Sequence, residues 1–215
     1  MPPNSHNLLA SLHSILNQTL AQNGVCHFML TGGRSATQLY RAWSSLPDYS
    51  TGLRGVQFYF GDERCVPPDH AESNYHLARN TLFPHGVPEG VPMHRMDADA
   101  ENLDTAADRY AAQLPESIDI LLLSMGEDGH IASLFPDSPA LHELQRPVVP
   151  VTGPKPPHQR LTVTPPVIRS ASAVIVMAFG EQKRAMYEKA LRDPADIDAI
   201  PARLVLDRTW FFQLD

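Results

Sequence analysis

Ile118-Asp119-Ile120-Leu121-Leu122-Leu123-Ser124-Met125, followed at once by Gly126-Glu127-Asp128-Gly129-His130, is the stretch on which the fold turns. The first eight residues are apolar almost throughout, with no strict alternation. A strand with one wet face alternates, whereas a central parallel strand covered on both faces reads as a near-continuous apolar run. The reading is therefore a buried strand from Ile118 to Met125 that stops at a glycine-bracketed polar turn.

Working outward, Cys26 to Leu30, Val56 to Phe60 and Ala173 to Phe179 read as further buried strands, the first ending at Thr31-Gly32-Gly33 and the second at Gly61-Asp62-Glu63-Arg64. Between them lie helical periods. Leu8, Leu9, Leu12, Ile15, Leu16 and Leu20 recur at helical spacing, with Asn4 or Ser5 as cap and Gly24 as stop. A helix is expected to start near Ser35 with Leu39, Tyr40 and Trp43 on its inner face, and others over Asn74 to Leu82, Leu103 to Leu114 and Glu181 to Leu191. Strands alternating with helices predict an α/β protein with a mostly parallel sheet, helices on both faces, and one domain over residues 1–215.

Nine of the twenty prolines fall between Pro136 and Pro166, so that segment is expected to be extended or looped. Thr152 to Gln159 reads as an exposed loop and a candidate mobile rim to a site. Thr164-Pro165 reads as a helix start.

The 215 residues are 43% hydrophobic and 19% charged, with a formal net charge of −7 and a pI near 5.8. That balance argues against a nucleic-acid partner, which calls for a basic face, but not against a small anion held in a local positive pocket. The longest apolar stretch, Ala173 to Phe179, is far short of the ~20 residues that span a bilayer, and the N-terminus lacks a signal-peptide pattern. Cys26 and Cys65 are expected to be free thiols. The cytosol is the expected location, and a monomer the expected state.

In an open α/β sheet, ligands bind beyond the carboxyl ends of the strands. Three polar clusters stand there. In Thr31-Gly32-Gly33-Arg34-Ser35, the glycines let the backbone approach an anion while helix-start amides, Arg34 and Ser35 supply donors; the plainer alternative is a tight turn with Ser35 as helix cap. In Asp62-Glu63-Arg64, Arg64 can grip an anion in a fork, or an Asp62–Arg64 pair can merely brace the loop. In Asp128-Gly129-His130, a neutral imidazole can take a proton from water with Asp128 orienting it; the alternative is a capping aspartate and a surface histidine. His70, His76 and His94 fit no zinc spacing, so no metal is expected. No Gly-x-Ser-x-Gly elbow, Walker loop or dinucleotide fingerprint occurs.

Together these clusters resemble the 6-phosphogluconolactonase family, within the larger group that includes glucosamine-6-phosphate deaminase. The matching pieces stand in family order: Leu30 to Ser35, Phe60 to Pro67, Glu72-Ser73-Asn74, Gly126 to Pro136, Arg160 to Pro165, and Gly180 to Lys183. The resemblance implies a Rossmann-like fold and hydrolysis of 6-phosphoglucono-1,5-lactone to 6-phosphogluconate, a step of the oxidative pentose phosphate pathway, with no cofactor. It makes His130 the general base and Asp128 its support. Arg64 would hold substrate charge or steady the oxyanion, with Asp62 fixing it. Gly32, Gly33, Arg34, Ser35 and Lys183 would line the phosphate end, and Arg160 is a further candidate for anion contact. Ala36 stands where the family commonly has proline, Thr31 where it has serine, and Glu72 where it has aspartate. Two alternatives stay open: a deaminase–isomerase, whose relatives carry a glutamate where this chain has Phe135, and a non-catalytic phosphosugar-binding module.

Overall fold

The computed structural model describes residues 5–213; the caps expected for the first helix, Asn4 and the Ser5 side chain, lie outside the description. In chain order the elements are α1 (Ser5–Asn23), β1 (Cys26–Leu30), α2 (Gly33–Ser44), β2 (Val56–Phe60), β3 (Asp62–Arg64), α3 (Asn74–Thr81), α4 (Leu103–Ala111), β4 (Ile120–Ser124), β5 (Val148–Thr152), β6 (Gln159–Val163), α5 (Pro165–Ser170), β7 (Ala173–Phe179), α6 (Glu181–Arg192) and β8 (Thr209–Gln213).

Five strands form a parallel sheet in the order β2-β1-β4-β7-β8. Because β1 pairs with β2 on one side and β4 on the other, the winding reverses between β1 and β4. That reversal opens a crevice at the carboxyl ends of these two strands, the place where doubly wound sheets bind ligands. The deciding stretch is central as expected, and its side chains split by parity. Leu121 and Leu123 pack on one face with Tyr110, Ile168 and Val205. Ile120 and Leu122 pack on the other with Phe28, Leu39 and Trp43. Both faces are dry, which is why the run does not alternate.

A second, three-stranded antiparallel sheet, β3-β6-β5, was not anticipated. Asp62-Glu63-Arg64, read from the sequence as the end of a strand, is itself a strand: Asp62 pairs with Thr162 and Arg64 with Arg160. The proline-rich segment is extended, as expected, but most of it is this β5–β6 hairpin, with Pro150 tolerated on the outer strand. β8 went unread because its five residues carry no period of their own. The helix expected to reach Leu114 stops at Ala111.

Where the ladders of β1 and β2 run out, a buried phenol takes over. Tyr40 Oη accepts from Thr31 N (3.0 Å) and donates to Thr31 O (2.7 Å), and Tyr110 Oη does the same for Phe60 (2.7 and 3.0 Å). Burial raises the pKa of both hydroxyls, so they stay protonated and can donate. Tyr40→Phe is expected to cost about 1–3 kcal/mol, because it strands one buried N–H and one buried C=O; urea unfolding at constant m-value checks it.

Candidate active site

One cavity of about 570 Å³ opens at the reversal point, and residues from the Thr31–Arg34 turn, β3, the Ser124–His130 turn, the β5–β6 loop and the start of α6 line it. Nine of the ten residues singled out from the sequence line it together: Gly32, Gly33, Arg34, Asp62, Arg64, Asp128, His130, Arg160 and Lys183. Ser35 does not. It is buried in the first turn of α2 and lines an adjoining cavity of about 460 Å³ that also touches Arg34 and Lys183. Nor is Ser35 the helix cap; α2 begins at Gly33, and Gly32 occupies the cap position without a side-chain bond. The first amides of α2 are thereby left facing the turn.

The His130 ring is held by its neighbour. Asp128 Oδ1 lies 2.5 Å from His130 Nδ1 and accepts from the His130 amide at 3.2 Å. Burial works to raise the Asp128 pKa, but the hydrogen bonds and charge of His130 outweigh it and hold the carboxyl below its ordinary value. An ionised Asp128 accepts a hydrogen bond from Nδ1–H, which fixes that proton on the ring and leaves Nε2 as the basic nitrogen. The turn that folds His130 back is closed by Gly126 N donating to His130 O at 2.8 Å. Phe135 packs on the imidazole, with ring centroids 4.8 Å apart.

Strand alternation sorts the charged triplet. Asp62 and Arg64 line the cavity, while Glu63 points the other way and caps α3, accepting from Ser73 Oγ, Asn74 N and Tyr75 N at 2.7–2.9 Å. Burial raises the Glu63 pKa against the pull of those bonds. The expected Asp62–Arg64 brace is absent among the described residues. Asp62 Oδ2 accepts from Ser133 Oγ (2.6 Å) and Oδ1 from Asn74 Nδ2 (3.1 Å). Arg64 is steadied instead by Glu72, through its backbone oxygen (2.9 Å) and carboxylate (3.4 Å). Side chains at i and i+2 of a strand share a face but run side by side, and the Asp62 carboxylate turns to the donors of Ser133 and Asn74 instead. Arg64 Nε is buried without a hydrogen-bond partner among the described residues.

Asn74, Ser133, Glu72 and Phe135 were visible only as letters in matching motifs; their work appears in the fold. A Cβ on Gly32 would fall 1.9 Å from Asn74 Oδ1, so Gly32 is where the glycine turn and the Asp62 network touch. Asp62 thus ties three chain-distant segments together. Gly33 takes a left-handed φ of +89° at the start of α2.

His70, His76 and His94 are apart from one another: His70 accepts from the Glu72 amide, His76 meets Asn80, and His94 stacks on Tyr59. Cys26 and Cys65 are unbridged. No described helix is long and apolar enough to cross a membrane.

A family profile described as "Glucosamine-6-phosphate isomerases/6-phosphogluconolactonase" matches residues 4–212. A human 6-phosphogluconolactonase is 35% identical, over 93% of this chain and 86% of its own. One from Pseudomonas aeruginosa is 34% identical, over 86% and 79%. Among solved structures, a 6-phosphogluconolactonase from Shewanella baltica superposes with a TM-score of 0.85 at 26% identity, covering 98% of this chain and 92% of that one. That from Trypanosoma brucei gives 0.81 at 28%, covering 98% and 91%. With sequence match and fold agreeing along almost its whole length, the chain belongs to the glucosamine-6-phosphate isomerase/6-phosphogluconolactonase family, on the 6-phosphogluconolactonase side.

Proposed function

We propose that this protein hydrolyses 6-phospho-D-glucono-1,5-lactone to 6-phospho-D-gluconate, with His130 as general base. The observation that carries the reading is the Asp128–His130 pair, whose imidazole lines the same cavity as the Gly32-Gly33 turn. Water attacks the lactone carbonyl as His130 Nε2 takes its proton, and Asp128 stabilises the imidazolium. The negative charge that develops on the carbonyl oxygen meets the guanidinium of Arg64, which lines the cavity. Collapse breaks the bond from the carbonyl carbon to the ring oxygen, and the imidazolium returns its proton to that oxygen. The products are the 5-hydroxyl and the carboxylic acid, which then ionises to the carboxylate and releases one proton to solvent.

At the other end the phosphate is met by the first amides of α2 after Gly32 and Gly33, by Arg34 and by Lys183, with the Ser35 hydroxyl behind them. Binding there supplies orientation, not chemistry. Asp62 acts through the segments it joins, and Arg160 adds positive charge at the far side. The phosphosugar lactone is the only partner this cycle needs. Two unbridged thiols suit the cytosol.

A coupled assay with freshly made lactone, corrected for spontaneous opening, tests the reading; turnover well above the blank is expected. The deaminase alternative requires a carboxylate where Phe135 packs on His130, so no ammonia is expected from glucosamine 6-phosphate. Ammonia release without lactone turnover would reverse the assignment.

The phosphate end has a pH signature. Burial lowers the Lys183 pKa, the Arg34 charge adds to the fall, and Glu127 opposes it. Lys183 therefore loses its charge at lower pH than a free lysine. Affinity for 6-phosphogluconate is expected to weaken on the alkaline side before the ordinary lysine pKa of 10.5 is reached. In Lys183→Arg the cation persists, and that limb should vanish from a calorimetric titration series.

A further inference from the structure

Arg160, a candidate anion contact from the sequence, has a different first attachment. It is 7% exposed, and its Nε donates to Pro157 O (3.1 Å) and its Nη2 to Lys155 O (3.4 Å). Its guanidinium lies over the Phe135 ring, 5.5 Å from the centroid. Arg64 stands directly across the ladder, and among the described residues no carboxylate comes within ion-pair distance of Arg160. A buried cation facing another cation across two strands is a costly way to hold an ordinary turn.

What it holds is the loop joining β5 to β6, pinched shut by Gly153 N donating to His158 O (2.6 Å) and by His158 Nδ1 against Gly153 O (2.8 Å). Pro154, Lys155 and Pro156 of this loop line the catalytic cavity, and Lys155 is the charged group among them. Three prolines restrict the loop's backbone, so an exposed lysine projects from a preorganised base. The contacts run His130–Phe135–Arg160–Lys155 without a break. They tie the Lys155 backbone, through Arg160 and Phe135, to the wall of the cavity that carries His130.

Resting on the lactonase reading above, we infer that Lys155 is a specificity-determining residue that binds the lactone end of the substrate (the carboxylate end of the product), and that Arg160 is the positioning residue holding its loop over the cavity. Two ligands separate the ends of the site: 6-phosphogluconate, with phosphate and carboxylate, and glucitol 6-phosphate, with the same phosphate and a hydroxyl in place of the carboxylate. By calorimetry, Lys155→Gln is expected to weaken 6-phosphogluconate about tenfold, the loss of one charge-assisted contact, and to leave glucitol 6-phosphate nearly unchanged. Equal weakening of both would put Lys155 at the phosphate, and no weakening would remove it from the site; either overturns the proposal. Arg160→Lys should weaken the same ligand selectively, and the double variant should lose no more than the worse single one, since both act through one contact. Additive losses would refute the positioning role. A wild-type protein with no lactone turnover would refute the activity instead, while the binding pair would still decide Lys155.

Discussion

His130→Ala is expected to lower kcat for lactone hydrolysis by about 10²–10⁴-fold while leaving 6-phosphogluconate affinity close to that of the native protein. The range is that of one positioned general base. Water is a poor nucleophile until its proton is drawn off, and among the described residues no other imidazole lines the cavity. Asp128 cannot substitute, because its carboxyl is held ionised at low basicity by the same pair. What remains is orientation by the phosphate end and charge stabilisation by Arg64, so the residual rate should exceed the spontaneous one. The measurement is single-turnover hydrolysis with a parallel blank, beside a calorimetric titration with product. Undiminished turnover would take His130 out of the mechanism, and a matching loss of product binding would make it a binding residue.

Gly126→Ala should come close to the same kinetic result without touching any reacting group. A Cβ at this position would lie 2.2 Å from both Cε1 and Nδ1 of His130, and 2.7 Å from Asp128 Oδ1. No methyl group tolerates such distances, so the imidazole, the carboxylate or the turn must move. Misplacement of a catalytic group by about 1 Å can cost about 10²-fold, and that is the expected fall in kcat. The change should spare product affinity, since the phosphate end belongs to α2 and α6. It should also abolish the far-downfield proton resonance expected of the His130 Nδ1–H shared with Asp128. Native kcat in this variant would mean that the pair is not held by the close approach at Gly126.

The contrast between these two residues shows how the molecule divides its information. His130 announces itself in sequence because its type, its place after a buried strand and its aspartate neighbour all speak to one chemistry. Gly126 could be read only as a turn residue, since the collision that forbids a side chain there exists between atoms brought together by folding. Asp62 shows the same limit from the other side. Its letter beside Arg64 suggested an ion pair, yet Ser133 and Asn74, 71 and 12 residues away, hold its carboxylate instead.

The parallel core was legible because burial on both faces leaves an unalternating apolar run, and β4 carries one on five consecutive buried or half-buried residues. The small antiparallel sheet was not. β3 is three polar residues long and β6 sits among prolines, so neither has a period, and only their pairing with each other makes them strands. The loop over Thr152 to Gln159 was legible as a rim to a site, and Pro154, Lys155 and Pro156 do line the cavity, but the hairpin that carries it is not encoded by local pattern.

By itself the chain of letters determined the alternation of strands and helices, the strand ends that bear polar groups, and the residue types able to bind an anion and move a proton. Those are local properties, set by periodicity, glycine and the chemistry of single side chains. Which groups meet was decided by tertiary structure alone: the reversal of winding between β1 and β4, the antiparallel ladder that turns Asp62 and Arg64 one way and Glu63 the other, and the Arg160 clasp on its loop. Contacts between residues far apart in the chain come from close packing of the whole, and no local window contains the partners.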